Sequence, residues 1–118
     1  VPGRIEDQIQ RAVFQHIKLR GVPGLVAIHP PNGGYRRPVE ARIMKALGVT
    51  AGVPDLLLWH DGKSFAMELK ATAGRVTDAQ LDMLNRLSEA GVFTAICHGL
   101  DKAIAVLESW KLLRGRVN

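Results

Sequence analysis

Residues 54–70 read PDLLLWHDGKSFAMELK. Two apolar runs of strand length, LLLW and SFAMEL, flank HDGK, and Asp-Gly between such runs is the strongest short-range hairpin signal. A two-residue loop at Asp61-Gly62 pairs His60 with Lys63. Working outward, it pairs Trp59 with Ser64, Leu58 with Phe65, Leu57 with Ala66, Leu56 with Met67 and Asp55 with Glu68. That register sets two carboxylates on one face with Cβ atoms about 4.5–5.5 Å apart, and the period of two adds Lys70 to the same face. Phe65, Met67 and Leu69 point the other way, toward a core. A three-residue loop would slip the pairing by one residue and send Asp55 and Glu68 to opposite faces.

Like charges opposite one another in a sheet are destabilising. A divalent cation between them turns the clash into a binding site, since hard cations such as Mg²⁺ are held by one or two carboxylates together with waters and substrate phosphates. The alternative is a pair of solvated acids at a sheet end, with Lys70 making a weak surface pair to Glu68. A bare Glu-x-Lys decides nothing; the hairpin register carries the weight.

Outward from the hairpin, helices alternate with strands. Ile5, Ile9, Val13 and Ile17 recur at helical spacing and predict an amphipathic first helix ending near Gly21. LVAIH predicts a strand and PPNGG a loop. A second helix is expected from Val39 to Leu47, stopping at Gly48, and a third from Asp78 to Ala90. VFTAIC reads as a buried strand, and a last helix carries Ile104, Leu107 and Trp110. This order predicts an α/β fold, a mixed central β-sheet flanked by α-helices.

Other candidate groups each carry two readings. Glu6 lies beside the apolar face of the first helix, where it either borders a site or complements the helix dipole; Glu40 competes with it, also opening a helix. Thr77-x-x-Gln80 is a capping box, yet Gln80 precedes Leu84 and Leu87 on the face that packs against the sheet, and an amide buried there needs a partner. Arg36, Arg37, Arg42 and Lys45, with Tyr35 beside them, and Lys70 with Arg75 form two basic groups that are either solvated faces or phosphate contacts. His29 and Asn32 either approach the substrate or cap a loop. Cys97, the single cysteine, reads as a small buried hydrophobe, and His16, His60 and His98 lack zinc-ligand spacing.

GVPDLLLW at 52–59 followed by MELKATAGRVTDAQ at 67–80 resembles the VRR-NUC family of the PD-(D/E)xK nuclease superfamily. The match is closest from Gly52 to Gln80, and HPPNGGYR at 29–36 and the helix-strand-helix tail are also similar. The resemblance implies a restriction-endonuclease-like core and a metal-dependent nuclease site. Asp55, Glu68 and the Leu69 carbonyl would hold one or two Mg²⁺ or Mn²⁺ ions, with Glu6 as a further contact, direct or through water. Lys70 and Gln80 would complete the catalytic set, and Tyr35, Arg36, Arg37, Arg42, Lys45 and Arg75 would meet nucleic acid. Stand-alone members are thought of as homodimers acting on four-way DNA junctions, and embedded members on flaps. The short chain therefore implies a DNA-repair endonuclease acting on branched DNA, probed against an inactive DNA- or protein-binding module and a flap or general nuclease.

Composition agrees. The 118 residues are expected to form a single domain spanning 1–118, with 47% hydrophobic and 23% charged residues. A net charge of +5 suits a polyanionic partner. No apolar run approaches the roughly 20 residues that span a bilayer, so a cytoplasmic location with no membrane partner and no organic cofactor is expected. The chain begins at Val1 rather than Met, which suggests trimming of the first residues.

Overall fold

The computed structural model describes residues 2–31 and 37–115, with side chains from Ile5 onward. The Asp-Gly bend organises it. Asp61 and Gly62 have φ of 51° and 76°, the pair of left-handed residues that a two-residue hairpin of matching twist requires. Glycine adopts that conformation without steric cost. The strands it joins, β2 (Leu56–His60) and β3 (Lys63–Lys70), pair from His60–Lys63 out to Leu56–Met67 in the register expected of that loop.

Around this hairpin the order is α1 (Pro2–Arg20), β1 (Val26–Ile28), α2 (Pro38–Ala46), β2, β3, α3 (Asp78–Glu89), β4 (Phe93–His98) and α4 (Leu100–Ser109). The sheet runs β1-β2-β3-β4. β1 and β3 are antiparallel to β2, while β4 is parallel to β3. A parallel neighbour needs a crossover, and α3 supplies it. The expected mixed sheet with flanking helices is therefore observed.

Alternation along β3 assigns the layers. Phe65, Met67 and Leu69 enter a core with Val13 of α1, Ile104 and Leu107 of α4, and Leu56 and Leu58 of β2. Phe65 also stacks on Phe93 and lies against Trp110, with ring centroids 5.4 and 5.1 Å apart. Ile9, Val13 and Ile17 meet this core as the helical spacing predicts, but Ile5 remains 52% exposed. Arg20 closes the layer, its guanidinium bonding Glu108 and the Arg114 carbonyl and tying the end of α1 to the segment after α4. Ala66, Glu68 and Lys70 face the opposite way, toward α3, and are buried too.

Two expectations need correction. VFTAIC is not a buried strand: β4 lies at the sheet edge, with Phe93 50% and Ile96 38% exposed. Only Cys97 within it is fully buried, as expected, and burial pushes its thiol up to about 11, which keeps it an unreactive hydrophobe. Lys70, grouped with Arg75 as a surface cation, is instead 6% exposed and cannot be one of a solvated pair.

Candidate active site

The site forms where two proline residues end the hydrogen-bond ladders on both sides of Asp55. Neighbouring residues of a strand send their N–H and C=O groups alternately to one side and the other. Lys70 sends its carbonyl toward the β4 side, accepting Gly99 N–H at 2.9 Å, so the backbone groups of Leu69 face β2. Continuing the β2–β3 register beyond Leu56–Met67 sets Pro54 opposite Leu69. Proline has no N–H to offer the Leu69 carbonyl. The Leu69 N–H, for its part, donates to Asp55 Oδ2 at 2.8 Å. The chain opens here, and a carboxylate takes the place of a strand.

Glu68 stands across from Asp55 in the same register and is 2% exposed. Its Oε1 accepts a hydrogen bond from Gln80 Nε2 at 3.2 Å. Its Oε2 is buried without a hydrogen-bond donor among the described residues. Burial, above all, pushes this carboxyl up to about 9, with the neighbouring Asp55 adding to the rise; Lys70 pulls it down, and Glu6 adds a smaller upward push. The two acids therefore sit close enough for the charge of one to act on the other. Each has one oxygen held by an N–H, leaving Asp55 Oδ1 and Glu68 Oε2 as oxygen donors.

Gln80 fulfils both of its readings, because an amide has two ends. Its Oε1 accepts Thr77 N–H at 2.9 Å and its backbone N–H donates to Thr77 Oγ1 at 3.1 Å, closing the capping box. The Nε2 end remains for Glu68. Capping fixes the amide's rotamer, and the fixed amide then orients the carboxylate.

Glu6 enters from α1. Its Oε2 accepts the Ala71 N–H at 3.3 Å, holding the peptide that follows Lys70. It does not form a three-acid cluster with Asp55 and Glu68: among the described residues, no three His, Cys, Asp or Glu side chains come together as a ligand set. Glu40 is engaged elsewhere, bonded to Arg37 at 2.7 Å at the start of α2. Arg37, Arg42, Lys45 and Arg75 are exposed, and Lys45 and Gln80 line one groove with Met44, Val49 and Gly52. Tyr35, Arg36 and Asn32 lie outside the described residues.

Gly52 couples the two halves of the site. It has φ of 79°, and a Cβ there would stand 2.3 Å from the Ala79 carbonyl oxygen and 2.9 Å from Gln80 N. These are backbone atoms of the first turn of α3, so they cannot swing aside. Gly52→Ala is expected to cost between about 2 and 5 kcal/mol, from the left-handed backbone and the forced separation together. It also lifts Gln80 from Glu68. Calorimetry checks this, and an unchanged melting temperature would mean that α3 does not rest on this loop.

For His29 the sequence allows either a substrate contact or a loop cap. Its Nδ1 lies 2.7 Å from the Asp55 carbonyl oxygen. The signal available beforehand was the His-Pro dipeptide itself, a side-chain donor next to a residue that lacks a backbone one.

Comparison with known proteins follows the same lines. The sequence profile of the VRR-NUC domain matches residues 5–101. A solved structure of a VRR_NUC domain protein is similar in fold, with a TM-score of 0.75 and 25% identity over 93% of this chain and 91% of that one. No curated protein matches the chain.

Proposed function

Because the chain belongs to the VRR-NUC family, and so carries a nuclease-type domain, we propose that it is a divalent-metal-dependent DNA endonuclease that hydrolyses phosphodiester bonds in branched DNA, four-way (Holliday) junctions above all. The observation that carries the reading is Glu68 Oε2, a buried carboxyl oxygen with no hydrogen-bond partner among the described residues, close to a second acid. Buried polar atoms are almost always satisfied. An oxygen-seeking cation satisfies this one and Asp55 together.

Mg²⁺ or Mn²⁺, one ion or two, would be held by Asp55, Glu68 and the Leu69 carbonyl, with Glu6 reaching it through water. When bound, such an ion lowers the pKa of a coordinated water and offsets charge on the phosphoryl oxygens. The protein's own groups do the rest. Hydrolysis forms one oxygen–phosphorus bond, breaks the opposite one and delivers a proton to the departing oxygen. Lys70, fixed by burial beside Glu68, donates to the water or to the non-bridging oxygens as charge builds there. Gln80 keeps Glu68 turned toward Asp55. Glu6 steadies the Ala71 peptide and with it the end of β3. Arg42, Lys45 and Arg75, with Tyr35, Arg36 and Arg37, contact phosphates, which orients the DNA without reading bases and makes affinity steeply dependent on salt.

A two-fold homodimer would offer two such sites with the symmetry of a junction. In support of self-association, Val26, Ile28 and Trp59 on neighbouring strands leave 40–53% of their surface exposed. Among the described residues no helix is long and apolar enough to cross a membrane. A binding module without chemistry would gain nothing from an uncompensated acid pair beside a buried lysine, which favours the enzyme.

Labelled junction, flap and linear duplex, each incubated at physiological salt with Mg²⁺, Mn²⁺ or chelator, test the proposal. The junction is expected to be cut fastest, with metal only, and Asp55→Ala is expected to be inactive. Equal rates on junction and duplex would remove the preference for branches. Binding without cleavage under every condition would leave a DNA-binding module.

A further inference from the structure

β1 ends at Ile28 and is followed by His29-Pro30-Pro31. Leu56 pairs with Met67, on the β3 residues whose backbone groups face β2, so Asp55 and Leu57 send theirs toward β1. Continuing the β1–β2 register past Ile28–Leu57 sets Pro30 opposite Asp55. The Asp55 carbonyl thus looks for a donor on the one residue type that has none. The His29 imidazole stands in, with Nδ1 at 2.7 Å. A carbonyl oxygen only accepts, so Nδ1 carries the proton and the tautomer is fixed.

We propose that His29 is a positioning residue of the site, its Nδ1–H replacing the backbone donor that Pro30 lacks and thereby fixing the Asp55 peptide so that its carboxylate meets Glu68. This rests on the reading of Asp55 and Glu68 as a cation site. Asp55 is the first residue outside β2, and prolines end the ladders on both of its sides. What holds it is one bond from each neighbouring strand: Leu69 N–H to its carboxylate and His29 Nδ1–H to its carbonyl. With the second bond gone, the peptide turns and the carboxylate leaves Glu68. His29 is exposed, so its loss acts on the site rather than on the core.

The test compares His29→Ala, His29→Asn and His29→Gln with the parent protein. The asparagine amide nitrogen occupies the place of Nδ1, whereas the glutamine amide lies one bond further out. His29→Ala and His29→Gln are expected to weaken Mn²⁺ binding, measured by calorimetry without DNA, by about 10–100-fold, the usual effect of removing a group that orients a ligand. His29→Asn is expected to restore most of it. In metal-free protein, the Leu69 amide proton, which reports the Asp55 carboxylate, is expected to lose exchange protection in the alanine and glutamine variants and regain it in the asparagine one. Unchanged Mn²⁺ affinity in His29→Ala, or no recovery in His29→Asn, overturns the role. Should the parent protein bind no Mn²⁺, the cation reading fails, and Leu69 exchange alone decides: protection unaffected by His29→Ala then overturns the positioning as well.

Discussion

Glu68→Gln is expected to abolish cleavage while making the metal-free protein more stable. The reason is the direction in which the fold moves the Glu68 carboxyl, from an ordinary value of 4.5 up to about 9, through burial first and Asp55 second. The folded chain therefore keeps a proton at neutral pH that the unfolded chain has released. A group raised in this way gives its full stability below its unfolded value, and that stability is lost as pH rises toward its folded one. The loss runs from about 4.5 to about 9 here, at about 1.4 kcal/mol per pH unit within that window.

Glutamine carries no charge in either state, so the substitution removes this dependence. Its amide keeps the size and the neutrality of the protonated acid. Stability at pH 7 is expected to rise by up to about 3 kcal/mol, and the melting temperature of the variant in chelator to stay nearly level where the parent's falls. Mn²⁺ is expected to have the opposite effect on the parent. A cation bound there would displace the Glu68 proton, so binding is expected to release protons and to tighten as pH rises. Melting curves between pH 6 and 9, in chelator and in Mn²⁺, measure both effects. A parent protein whose metal-free stability is flat over that range, or a glutamine variant that still cuts DNA, would sink the account of Glu68.

How much of this was visible in the chain follows from the range of the interactions. The hairpin register was legible because it depends on four adjacent residues, His60 to Lys63, and on alternation that runs unbroken to Asp55. Its consequence, two acids on one face, needed no knowledge of the rest of the fold. The helices were legible from their spacing, to within a residue or two at their ends. The edge position of β4 was not, because a strand's neighbours are set by crossover geometry, and VFTAIC is equally apolar at an edge or in the middle. The burial of Lys70 was also hidden. Period two gives the face, but α3 covers that face only because Gly52 lets its first turn approach. Gln80 allows two readings in the sequence, a cap and a buried amide in need of a partner, and the structure shows both, one at each end of the amide. The prolines were in plain view. Their meaning as ladder-breakers on both sides of Asp55 needed the order of three strands, which no single stretch contains.

Lys70→Met is expected to separate binding from chemistry. Methionine matches most of the volume of the lysine stem, so a side chain 6% exposed is replaced without a cavity. Removing the ammonium leaves both carboxylates in place, and Lys70 is the group that pulls the Glu68 carboxyl down. Its loss removes a charge that repels the cation but also lets the Glu68 carboxyl rise further, so Mn²⁺ binding is expected to persist with its pH dependence moved upward. In the proposed mechanism cleavage depends on a positive donor where charge develops on the phosphoryl group, and its loss is expected to slow single-turnover cutting by about 10²–10³-fold. Lys70→Arg should not restore the rate, because a planar fork cannot occupy the place of a compact ammonium at that depth. Glu68→Gln loses metal and cleavage together; Lys70→Met loses cleavage alone. A methionine variant that cuts at the parent rate would take Lys70 out of the mechanism. One that no longer takes up Mn²⁺ would make Lys70 a structural partner of the acids, and the catalytic charge would then have to come from the exposed arginines.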